Sequence, residues 1–146
     1  VDAEVAVSAP ASGSRLWLRV VLWGLAYSVI GVVTAALSRG APSGEMKQIW
    51  RLAAWALSLG VFAASFGDER SRSGGAPPAT ALRAALPVAL GGFLLAVWAT
   101  VHSMSTGAGR LAAHVIALVA WPAMLGVASF LVGWAAAAVL ARKKTG

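Results

Sequence analysis

Residues 111–141 read LAAHVIALVAWPAMLGVASFLVGWAAAAVLA, a run of 31 between Arg110 and Arg142 that contains no Asp, Glu, Lys or Arg. The rest of the chain is similar in character. Of its 146 residues, 59% are apolar and only 12% are charged, about half the ~25% usual in soluble globular proteins. A small soluble domain needs charge to cover its large surface, and a disordered chain needs low hydropathy and high charge. Both classes are excluded, which leaves lipid as the solvent. A hydrocarbon core about 30 Å thick is crossed by roughly 20 helical residues, and the quoted run is longer than that.

Outward from this run the spacing recurs. Uncharged stretches of 26, 16 and 19 residues separate Arg83 from Arg110, Arg51 from Asp68 and Arg19 from Arg39. One Arg at the centre of a span costs roughly 2.5–3.5 kcal/mol on insertion scales, so the charges gather at the ends. The pattern predicts an all-α, integral membrane four-helix bundle, up-down-up-down, with both termini on one side. The expected spans are 15–39, 45–67, 80–104 and 108–141. A polar tail over 1–14, a Gly/Pro/Ser loop over 68–79 and a basic tail over 142–146 complete the organisation.

Local signals set these bounds. Ser14 and Thr80 are N-cap candidates, and Arg39-Gly40-Ala41-Pro42 has the cation, glycine and proline of a helix C-terminus. Gly67 is expected to cap the second helix. Asp68 and Glu69 would then lie outside it, because acidic groups are unfavourable at a C-terminal dipole. The uncharged run of the second helix covers only about 24 Å. Arg51 is therefore expected to snorkel, with Trp50 and Trp55 at the interface; a re-entrant segment is the alternative. The fourth helix, at about 50 Å, should tilt, project beyond the bilayer or bend at Pro122. Ser105-Thr106-Gly107 is short enough to make helices three and four antiparallel neighbours.

Cations divide unequally between the two faces. Arg15, Arg19, Arg70, Arg72, Arg83, Arg142, Lys143 and Lys144 share the side of the termini, against Arg39, Lys47, Arg51 and Arg110 opposite. This bias predicts cytoplasmic termini, and heavy Ala, Gly and Arg usage suggests a bacterial inner membrane. Residues 1–14 lack a basic n-region, so the first helix reads as a retained anchor. The net charge of +7 forms belts on two membrane faces and does not indicate nucleic acid binding. Arg15, Arg19, Arg142, Lys143 and Lys144 are expected to meet anionic lipid headgroups, at about 1 kcal/mol per cation.

Helices in lipid associate by close packing and interhelical hydrogen bonds. Each span offers small residues at four-residue spacing: Gly24 and Ser28; Ala56, Gly60 and Ala64; Gly92, Ala96 and Thr100; Ser129, Gly133 and Ala137. All four rows are expected to pack, within the bundle or against a partner. Arg51-Leu52-Ala53-Ala54-Trp55 and Arg110-Leu111-Ala112-Ala113-His114 also suggest a duplicated hairpin, related by an axis along the membrane normal.

Absent residue types narrow the chemistry. The chain has no cysteine, hence no disulfide, thiolate nucleophile or cysteine-based metal site. Apart from Glu45 at the first position of the second, the expected spans hold no carboxylate for ion coupling, and they have no His-Glu zinc motif and no nucleophile elbow. The membrane glutamate of small multidrug transporters and the cysteine pairs of quinone–disulfide exchangers are both missing from these spans. Ser28, Thr34, Ser58, Ser65, Thr100 and Ser129 can bond their own helix backbone. Tyr27 needs a partner near mid-depth, on a neighbouring helix or in a small polar cavity shared with Ser58 or Ser129.

Two histidines remain. Trp98 precedes His102 by four residues and Trp121 follows His114 by seven, so each imidazole shares a helical face with an indole. The set His102, His114, Trp98 and Trp121 reads either as an interfacial belt or as an axial-ligand site for haem or a chlorin. The first functional expectation is a non-catalytic accessory or structural subunit of a larger membrane complex. Its partners would be membrane lipids and other membrane proteins or further copies of itself. The alternatives are a haem- or (bacterio)chlorophyll-binding membrane protein and an oligomeric channel or uncoupled transporter.

Overall fold

Four helices, α1 (Ala11–Gly40), α2 (Gly44–Ser73), α3 (Pro77–Ser105) and α4 (Leu111–Arg142), form the chain. The computed structural model describes residues 11–73, 76–107 and 111–142. At 29 to 32 residues, each helix is about 44–48 Å long, and each is long and apolar enough to cross a membrane. The protein is an integral membrane four-helix bundle with consecutive helices antiparallel. One end holds Ala11, Ser73, Pro77 and Arg142; the other holds Gly40, Gly44, Ser105 and Leu111.

The helix boundaries differ from expectation where capping competes with packing. Ser14 lies within α1. The hydroxyl of Ser43 caps α2, accepting the Met46 N–H at 3.1 Å. α2 then passes through Gly67 to Ser73, so Asp68 and Glu69 are helical and the expected loop shrinks to the few residues before Pro77. Ala76 precedes α3, whose first positions are Pro77 and Pro78, where a missing N–H removes no helical bond. Thr80 is therefore internal to α3. Gly107, at φ 68°, ends α3 in the left-handed conformation open to glycine. Residues 108–110, which include the expected start of the fourth helix and Arg110, lie outside the described residues, as do Lys143 and Lys144. α4 continues unbroken across Pro122, and α2 is one continuous helix, long and apolar enough to cross a membrane.

α3 is the central element. It packs against all three other helices, α1 and α2 pack on each other, and α4 rests chiefly on α3. A duplicated hairpin would have α4 meet α1 as α2 meets α3, but there is no comparable α1–α4 interface. Small residues fill the centre: Ala81, Ala84, Ala85 and Ala96 of α3 and Ala137 of α4 are buried, and among the described residues no large side chain is fully buried. Leu18, Leu22, Val29 and Val33 of α1 point outward. A small-residue interior with a large apolar exterior is what association in lipid requires.

Gly24, Ser28, Gly92, Ala96 and Gly133 are buried as expected, and Ser129 is half-buried. The α2 row is the correction. Ala56, Gly60 and Ala64 are all exposed, and a Cβ on Gly60 would meet nothing within 4 Å. α2 instead turns Ser58, Phe62, Ser65 and Glu69 towards the bundle. Polar side chains inside lipid need partners. Here that requirement, and not residue size, decides which face of α2 turns inward.

Candidate binding cavity and charged cluster

A cavity of about 410 Å³ lies among the helices, lined chiefly by α1 and α2, with Leu95 of α3 and Trp121 and Leu125 of α4. Its depth follows from chain position. Arg39 and Arg51 lie towards the Gly40/Leu111 end, and Tyr27 is twelve residues back from Arg39, about 18 Å along α1. Trp50, Trp55 and Trp121 supply aromatic wall.

At the inner end the Tyr27 hydroxyl hydrogen-bonds the Ser58 side chain, joining α1 to α2. The expected partner across helices and the expected polar cavity with Ser58 are thus one feature. Thr34, also in the lining, donates to the Ile30 carbonyl at 2.7 Å. Ser28, Ser65 and Thr100 likewise donate to carbonyls of their own helices, at 2.9, 3.0 and 2.7 Å.

The histidine–tryptophan set is only partly assembled. Trp98 and His102 stack, with centroids 5.4 Å apart and planes 7° apart, as their four-residue spacing predicted. Trp121 lines the cavity, but His102, His114 and Trp98 do not. His102 is exposed and His114 half-buried, and the structure gathers no single pocket from these four residues. A contact missed in the sequence comes from α1: the Arg39 guanidinium lies 4.9 Å from the Trp98 ring centroid. Trp98 therefore braces a cation of the cavity lining. Arg51, seven residues into α2, is the sequence signal for this site; its position alone indicates only a snorkelling side chain.

A second cluster lies towards the Ala11/Arg142 end. Glu69 is buried and accepts from Arg83 of α3 at 3.3 Å. Arg19, Asp68, Glu69 and Arg83 share the lining of a small pocket of about 10 Å³, and Asp68 also pairs with Arg72 at 2.7 Å. Helix extension past Gly67 carries Glu69 to α3, where a cation meets it, at the helix end beyond the uncharged run 52–67. Arg19 is half-buried and lines this pocket; Arg15 and Arg142 are exposed. Among the described residues no three His, Asp or Glu side chains group as metal ligands.

No protein-family model, curated protein or solved structure matches the chain.

Proposed function

We propose that this protein is a non-catalytic accessory subunit of a larger assembly in a bacterial cytoplasmic membrane, with the Ala11/Arg142 end facing the cytoplasm. The exposed row Ala56, Gly60 and Ala64 carries this reading. Small residues at this spacing let two helix backbones approach. The corresponding rows of α1, α3 and α4 meet neighbours inside the bundle, for instance Gly133 with Ala81. The α2 row is open and suits a transmembrane helix of another protein. The excess of cations towards the Ala11/Arg142 end supports the orientation, and the absence of cysteine and of any sequence motif for catalysis supports a non-catalytic role.

The cysteine-free chain makes a direct test simple. Gly60→Cys, carrying a photoactivatable benzophenone maleimide in native membranes, should yield a defined adduct with one other membrane protein. Val119→Cys, on the exposed face of α4, should not. Lipid adducts alone from Gly60→Cys, or the same adduct from both positions, would overturn the proposal; an adduct of two copies would replace it with self-association.

A further inference from the structure

Arg39 and Arg51 both line the cavity, and neither has a carboxylate partner among the described residues. Asp68 and Glu69 pair with Arg72 and Arg83 towards the opposite end, and Glu45 in the first turn of α2 is not in the lining. Both side chains are exposed near the Gly40/Leu111 end of their helices, so they offer two guanidinium groups to an anionic head at the edge of a largely apolar cavity. Guanidinium recognises phosphate and carboxylate through paired N–H donors. Trp98 holds one of the two groups in place from outside the lining.

We infer that this cavity binds a single-chain anionic amphiphile, with its phosphate or carboxylate head between Arg39 and Arg51 and its chain along Trp55, Leu95, Trp121 and Leu125. The volume of about 410 Å³ is near the lower end for ligand pockets. That suits one chain better than the two chains and head of a phospholipid. Tyr27 and Ser58 satisfy each other at the inner end, so the chain terminus needs no polar group. The site is separate from the Ala56–Gly60–Ala64 row and does not depend on the subunit proposal.

The test uses the full chain in phosphatidylcholine nanodiscs, titrated with dodecyl phosphate and, separately, dodecanoate. Tryptophan fluorescence gives the readout, because Trp50, Trp55 and Trp121 line the cavity. Saturable binding of one molecule per chain is expected for at least one of the two anions, and the tighter one identifies the head. Arg39→Gln and Arg51→Gln should each weaken it about tenfold or more. Lys47→Gln, at the same end but outside the lining, should leave it unchanged. Ala54→Phe, which fills the cavity and removes no charge, should also block binding. Circular dichroism melts on each variant separate loss of the site from loss of the fold. The inference is overturned by equal binding of dodecanol or dodecyltrimethylammonium, by unchanged affinity in both arginine variants, or by equal loss in Lys47→Gln. Saturable binding of inorganic phosphate would make the site one for a free anion. Stoichiometric displacement by phosphatidylglycerol would assign it to bilayer lipid; either result removes the single-chain amphiphile.

Discussion

The glycine face of α3 and the small-residue row of α2 look alike in sequence and lie in opposite surroundings. A Cβ on Gly91 would sit 2.9 Å from the Gly24 carbonyl oxygen and 2.8 Å from Tyr27 Cβ, whereas a Cβ on Gly60 would meet open space. Small residues permit close approach, but they do not by themselves turn a helix face inward. On α3 the close approach is used, because α3 packs against three helices at once. On α2 the inward face is the one bearing Ser58 and Glu69, whose polar groups find partners in Tyr27 and Arg83. In lipid an unsatisfied polar group costs more than a looser apolar contact, so the polar stripe prevails.

The most severe way to break this contrast is Gly91→Leu. A Leu side chain there must displace backbone of α1, not the end of a flexible side chain, and overpacking of this kind costs about 1–3 kcal/mol or more. Thermal unfolding in mild detergent should show a large loss of stability or no folded protein. Gly91→Ala should fall between that result and the parent.

Glu69→Ala and Arg83→Ala test the other half of the comparison, the polar contacts that orient α2. Each should destabilise by about 1–3 kcal/mol. A double-mutant cycle should give coupling of at least about 0.5 kcal/mol. Asp68→Ala removes a partner of Arg72 four residues along the same helix, on a more exposed surface, and such pairs contribute only about 0.3–0.5 kcal/mol. Equal losses from Glu69→Ala and Asp68→Ala would show that the link to α3 does not orient the helix.

These contacts also explain how far the sequence could be read. Four spans, their alternation and the α3–α4 turn follow from charge spacing and from Gly107, because excluding charge from hydrocarbon is a one-dimensional constraint. The Trp98–His102 stack and the polar contact of Tyr27 were legible for related reasons: a helical period places the first, and a buried hydroxyl demands the second. Rotation of α2 about its own axis was not legible, since it depends on Arg83, fourteen residues beyond Glu69 and on another helix. The end of α2 was misread by the same omission. Gly67 and the acidic pair after it resemble a helix stop only while the cation across the interface is unknown. The cavity needed the same three-dimensional information, because Arg39 and Arg51 come from different helices and converge only through the α1–α2 packing.

Gly60→Leu should have the smallest effect on the protein itself and the most selective effect on its associations. No atom stands in the way of the new side chain, and replacing helical Gly adds helix propensity of about 1 kcal/mol at most. In lipid the exposed Leu resembles Leu57 and Leu59 beside it, both already exposed. Stability in detergent should therefore be unchanged to within about 0.5 kcal/mol or slightly raised. A partner helix seated on Ala56, Gly60 and Ala64 would be held off by the added side chain, so co-purification in mild detergent should be lost while the melting curve stays in place. Destabilisation comparable to that of Gly91→Leu would mean that the row packs within the bundle after all. A retained partner with an unchanged melt would place the docking surface elsewhere and leave the α2 row as ordinary lipid-facing helix.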